Sequence, residues 1–324
     1  MPDLERAKNP ELEKEAPVSF EIFYGAHGSA KDIEGLSARL TDADIFIPEL
    51  LAWTPIHRSV YRGISAGILT PKVAVQRFAA GRDQFTLSTD VVLKMFEMIY
   101  NTHKPIAFTD VPYGHPIARR QIQLNYSGFP INRNFYQTLQ NAKNHIRDQA
   151  AVDLERENYI VSHLQPTVDQ VLDENPLLKN KQNVRALLFH GTAHTRIHHA
   201  LKRSGSEVEA HFCHKPYVYP FSAEAERRYM FGKEVDDELA ARSFMELTVF
   251  FPGLQKFTRD FSKIQKYVRI ALSKFTLHEI EANFNFQMKY GSQDLFLSQL
   301  AEKRIIVPQL EDDIDQFLEL SEDA

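Results

Sequence analysis

Two stretches of the chain carry one pattern, VSFEIFYGAHGS at residues 18–29 and VRALLFHGTAHT at residues 184–195. Each opens with the β-branched, aliphatic and aromatic residues that suit a strand. Each then meets a glycine, Gly25 or Gly191, and within three residues a histidine, His27 or His194. Glycine lets the backbone turn sharply and approach a ligand closely. A helix is expected after each turn. Ile33, Leu36 and Leu40 keep helical spacing in the first copy, and Thr195 to Arg203 read as a helix stopped by Gly205 in the second. A short strand ends each unit, ADIFI at 43–47 and EVEAHFC at 207–213.

This duplicated strand–turn–helix–strand unit predicts an α/β (or α+β) fold with a small, mainly parallel central sheet flanked by helices. In such sheets ligands bind beyond the carboxyl ends of the strands. PIAFT at 105–109 reads as a further buried strand and delivers Asp110, while ADIFI delivers Glu49. His27, Glu49, Asp110 and His194 therefore share one sheet edge. His214 follows EVEAHFC where Glu49 follows ADIFI, which makes it an additional candidate.

Farther out, residues 91–100 read as a helix. Residues 134–173 show helical periodicity through Leu139, Ile146, Val152, Tyr159 and Leu164, with Pro166 expected to kink or end a helix. From Asp236 to about Lys289 the pattern is helical, broken at Pro252-Gly253. The expected organisation is a flexible arm at 1–16, an α/β core at 17–235, a helical extension packed on it at 236–310 and a solvated acidic tail at 311–324. Phe244, Leu247, Phe250, Phe251, Phe257, Phe261, Ile264 and Tyr267 read first as packing residues of the extension, with a partner surface as the alternative.

Composition removes several function classes. The 324 residues are 43% hydrophobic and 25% charged, as in ordinary globular proteins. The net charge of −5 and the lack of a basic stripe with interleaved aromatics argue against nucleic acid as a partner. Cys213 is the single cysteine, so there is no internal disulfide framework and no cysteine-rich zinc site. No apolar run reaches membrane-spanning length, and the charged start lacks a signal-peptide core, so a cytoplasmic location is expected. The chain has no GxGxxG after a strand, no P-loop and no HExxH.

Each candidate also has a plain structural reading. Glu49 could be an acid at a helix start, Asp110 could make an Asx-turn before Pro112, and His198 and His199 suit a helix surface. Glu155 and Arg156, in DLERENYIVSHL at 153–164, read by composition as a solvated helix face.

Taken in order, these residues resemble the TraB/PrgY/GumN family, within the wider set of TIKI, erythromycin esterase and ChaN-like proteins. The pattern is carried by YGAHGS with His27, DADIFIPE with Glu49 and PIAFTDVPYGHPIARR with Asp110 and Arg119 or Arg120. It continues through LERENYI with Glu155 and Arg156 to ALLFHGTAH with Gly191 and His194, spanning about residues 18–212. Gly25-Ala26-His27 departs from it, being GxH where the family has GxxH. The resemblance implies that Glu155 and Arg156 join the site and that the sheet brings the two histidine turns together. It also implies a hydrolase of peptide or ester bonds acting on a small-molecule or peptide substrate. In a metal-dependent version, His27, His194 and Glu49 would bind a divalent ion of unspecified identity, with Asp110 or Glu155 orienting ligands or acting as base. In a metal-free version a histidine acts as general base, while Arg119 or Arg120 and Arg156 stabilise the oxyanion. The alternative is a non-enzymatic ligand-binding or regulatory protein of the same fold, with haem as the less favoured ligand.

Overall fold

The structure, a computed structural model, describes residues 18–25, 33–80, 89–213, 219–258 and 260–322. Four strands form its sheet: β1 (Val18–Gly25), β2 (Ile45–Pro48), β3 (Val184–Gly191) and β4 (Val208–Phe212). Helix α1 (Leu36–Asp42) lies between β1 and β2. Between β2 and β3 come α2 (Pro55–Ser65), α3 (Pro71–Ala80), α4 (Thr89–Ile99), α5 (Pro116–Ser127), α6 (Phe135–Glu174) and α7 (Pro176–Lys179). Helix α8 (Arg196–Arg203) joins β3 to β4. The rest is helical: α9 (Phe221–Met230), α10 (Asp237–Met245), α11 (Phe251–Leu254), α12 (Phe261–Ser273), α13 (Leu277–Tyr290), α14 (Asp294–Glu302) and α15 (Glu311–Glu322). The protein is thus α/β, with a small parallel sheet inside a mainly helical body.

The strand order is β2-β3-β1-β4, and every pairing is parallel. The two units interleave: β3 separates β1 from β2, and β1 separates β3 from β4. Val18 pairs with Val184 and the register runs to Gly25 opposite Gly191, so the two glycine turns leave the sheet level with each other. Phe20 pairs with both Ala186 and Val208, while Ala186 pairs with Ile45. The outer strands therefore dock in equivalent registers. In that register the counterpart of Glu49 is Phe212, not His214, which lies outside the described residues.

Alternation along the strands assigns the two faces. Phe23, Phe46, Leu187 and Phe189 pack with α1 to α4, burying Leu36, Tyr61, Phe78 and Phe96. Phe20, Ile22, Tyr24, Ile45, Ile47 and Leu188 face α6 and α8 through Ile160, Leu164, Val168, Ile197 and Leu201. Both faces are covered, as a parallel sheet requires.

Three expectations need correcting. Residues 105–109 are not a strand. They touch β2 at a single bridge, Phe46 to Ile106, with hydrogen bonds from Phe46 N to Pro105 O and from Ala107 N to Phe46 O. Pro105 has no N–H to extend the ladder. Pro166 does not end α6, which runs on to Glu174. The proline is exposed, and so is Ser162, whose carbonyl loses its i+4 donor to the ring and faces water instead.

Over residues 311–322 the acidic stretch is not a solvated tail. Residues 311–322 form α15, with Ile314 and Phe317 buried, and Lys263 reaches Glu311 at 3.3 Å and Asp315 at 2.8 Å. Its apolar face joins a second core containing Phe244, Phe250, Ile264 and Tyr267, which begins earlier in the chain with Phe135, Leu139 and Ile146 of α6 and Phe221 of α9. Ile314→Val is expected to lower stability by about 1 kcal/mol in chemical denaturation. No change would mean that this helix is undocked in solution. Among the described residues no helix is long and apolar enough to cross a membrane.

Candidate functional site

The carboxyl ends of β2 and β3, the segment after α4 and the middle of α6 converge on Arg156. The face of α6 that packs on the sheet presents Asp153, Arg156, Glu157 and Ile160, spaced at helical intervals and all buried. Arg156 Nε donates to Asp110 Oδ1 at 2.9 Å, and Nη2 donates to Asp110 Oδ2 at 2.5 Å and Glu49 Oε1 at 2.8 Å. Nη1 lies 3.1 Å from His194 Nε2. One guanidinium thus organises two carboxylates and an imidazole through its fixed fork.

Backbone groups hold the acids. Asp110 accepts from Leu50 N at 3.1 Å and Val111 N at 2.8 Å, while its own carbonyl accepts from Trp53 Nε1 at 2.6 Å. Glu49 Oε2 accepts from the N–H of Gly191, fastening the end of β2 to the turn after β3. His194 is gripped on both sides. Nδ1 lies 3.2 Å from Glu157 Oε1 and Nε2 lies 3.3 Å from Glu49 Oε1, while Tyr24 donates its hydroxyl to the His194 carbonyl at 3.3 Å.

Burial and charge set the protonation states. Burial opposes charge on Asp110, but the adjoining Arg156 outweighs it and holds the carboxyl below its ordinary range. Burial also opposes charge on His194. Glu49, with the hydrogen bonds to Glu157 and Glu49, overcomes both burial and the repulsion of Arg156, so His194 titrates well above an ordinary imidazole. Burial pushes Glu157 up. Glu226, from α9, is pushed up by burial and by its hydrogen-bonded neighbour Asp153. The core of the site therefore balances Arg156 and His194 against Glu49 and Asp110.

His190 is different. It is 0% exposed, and among the described residues neither ring nitrogen has a hydrogen-bond partner; Nδ1 stands 3.9 Å from Glu49 Oε2. Burial lowers its pKa to about 4, so it is neutral around pH 7.

Four of the sequence candidates, Glu49, Asp110, Arg156 and His194, meet here, with Gly191. Arg120 and Glu155 meet elsewhere, as an exposed ion pair with one contact of 3.0 Å, and Arg119 is exposed beside it. Glu155 precedes Arg156 by one residue, so the helix turns it about 100° away, toward water. His27 lies outside the described residues. Glu157 and His190 are additions. Glu157 shares the buried face of α6 with Arg156, a signal present in the spacing of Ile146, Asp153, Arg156, Glu157 and Ile160.

Glu49 and His194 do not fit a divalent ion in this arrangement. Arg156 lies within 3.1 Å of both and of Asp110, where a bridging cation would have to sit, and it already supplies the positive charge. Among the described residues no group of three or more His, Cys, Asp or Glu side chains is placed to hold a metal ion. Compared with family models, curated proteins and solved structures, the chain matches none.

Proposed function

We propose that this sheet edge is a hydrolytic site for ester or peptide bonds that works without a metal ion. The observation that carries the reading is the grip on His194, with Nδ1 against the buried Glu157 and Nε2 between Glu49 and Arg156. The ordered motif set and its resemblance to the TraB/PrgY/GumN group point the same way. A protonated Nε2–H donates to Glu49, whereas a neutral Nε2 accepts from Arg156. The proton at this nitrogen therefore decides which neighbour the ring bonds.

In the reaction, Glu49, whose side chain is 12% exposed, takes a proton from water as the water attacks the carbonyl carbon. Arg156 opposes the negative charge developing on the carbonyl oxygen. His194 then gives its Nε2 proton to the departing alkoxide or amine. The products are a carboxylic acid and an alcohol or amine; Glu49 is left protonated and His194 neutral, and return of the proton from Glu49 Oε1 to His194 Nε2, 3.3 Å away, restores the site.

Because the folded state favours protonated His194, that contribution to stability is full below the ordinary imidazole range. It is lost as pH rises through the raised value, and the proton-donating activity falls in the same window. The test is a panel of chromogenic esters and peptides, assayed with and without chelator. Turnover should survive chelation and fall about a hundredfold in His194→Gln and Glu49→Gln. Activity that vanishes with chelator and returns with added metal would overturn the metal-free reading. Saturable ligand binding without turnover, lost in His194→Gln, would favour the binding-protein alternative.

A further inference from the structure

On the far side of α8 from the sheet, a groove of about 420 Å3 is lined by Arg196, His199, Lys202 and Arg203, together with Met230 and Phe231 at the end of α9. This is the volume of a small-ligand pocket. Among the described residues its polar wall is entirely basic and no carboxylate lines it, although the chain as a whole is acidic. Its apolar wall is Met230 and the half-exposed ring of Phe231, which His199 meets edge-on at 5.7 Å between ring centroids.

Helix electrostatics explain only part of this. Lys202 and Arg203 sit in the last turn of α8, where cations complement the helix dipole. Arg196 is the first residue of the same helix, where a cation faces the positive end. An anion held beside this guanidinium would offset that placement. The neighbouring His198 agrees: burial first, then the charges of His199 and Lys202, lower its pKa, as expected in a locally positive field.

We propose that this groove binds a small organic phosphate carrying at least two negative charges and a flat apolar group, the chemistry of a nucleoside phosphate. Arg196, Lys202 and Arg203 take the phosphates, and Phe231 with Met230 takes the ring. Side chains replace the glycine-rich backbone cradle of the common nucleotide folds, which the sequence lacks. The assignment is independent of any hydrolysis at the sheet edge, and it is tested by binding alone.

Titration calorimetry of the full chain at low salt, using ATP, AMP and inorganic pyrophosphate as probes, decides it. ATP should bind saturably and more weakly as salt rises, and K202E/R203E should weaken it about thirtyfold, the loss expected for charge-assisted hydrogen bonds. Phe231→Ala should weaken ATP and AMP about tenfold and leave pyrophosphate unchanged. Lys202, Arg203 and Phe231 are exposed, so circular dichroism should show folded variants. ATP binding that does not saturate by about 1 mM overturns the proposal, as does binding unaffected by K202E/R203E. Equal losses for ATP and pyrophosphate in Phe231→Ala overturn the ring assignment.

Discussion

Arg156→Met is expected to lower the unfolding free energy by about 3–5 kcal/mol, read as a shift of the urea midpoint at neutral pH. Methionine approximates the length of the side chain but leaves Asp110 and Glu49 without their cation. Asp110 is 2% exposed and keeps the backbone bonds from Leu50 and Val111, so it cannot turn to water. Removing one partner of a buried pair costs far more than the pair contributes, because the remaining charge stays desolvated. Arg156→Lys should recover only part of the loss. An ammonium group cannot reproduce a fork that reaches Asp110 through two nitrogens and meets His194 with the third. A loss below about 1 kcal/mol, the scale of an exposed ion pair, would show that water reaches the network.

The second large effect concerns His190. With its folded pKa near 4, the native ring resists a proton that the unfolded chain accepts at the ordinary imidazole value. Its contribution is therefore full at neutral pH and declines as pH falls from about 6.5 to 4, by about 3 kcal/mol. Glu157, Glu226 and Glu246, each pushed up by burial, titrate in the opposite sense, so the total acid profile does not isolate His190. The difference between wild type and His190→Phe does. Wild type should lose about 3 kcal/mol relative to the variant between pH 7 and pH 4. Parallel stability curves, or a His190 proton resonance titrating near 6.5, would remove the basis for a dry, neutral imidazole beside Glu49.

Much of this was legible in the sequence, for identifiable reasons. The repeated strand–glycine–histidine pattern gave the parallel sheet, because period-2 burial and turn chemistry are local properties. It also gave the common edge that holds Glu49, Asp110 and His194. The pairing of β1 with β3 was not local, and nothing in either stretch states its register. Arg156 came only through the resemblance, since composition puts charged helix residues in water. Yet the buried stripe of α6 carries straight through Asp153, Arg156 and Glu157, so an acid–base patch interrupting an apolar stripe was the available signal. Glu155 shows the converse error, in which a motif adjacent in sequence was split by the helical turn. The docking of α15 was hidden because seven of its 12 side chains are acidic or hydroxyl, while two buried residues, Ile314 and Phe317, decide its fate.

The interleaving of the two units also bears on the order in which the chain can fold as it is made. β1 emerges early, but both of its neighbours, β3 and β4, lie beyond the forty-residue α6. β2 likewise borders only β3 in the sheet. Until Val184–Gly191 has left the ribosome, the first two strands have edges and no partner strands, while α2 to α6 are already available to shield their apolar residues. Sheet assembly then requires β3 to insert between waiting strands, with β4 added to the free edge of β1 afterwards. Such long-range closure is slow compared with helix formation, so the strand edges of the N-terminal half stay unpaired for longer than its helices take to form.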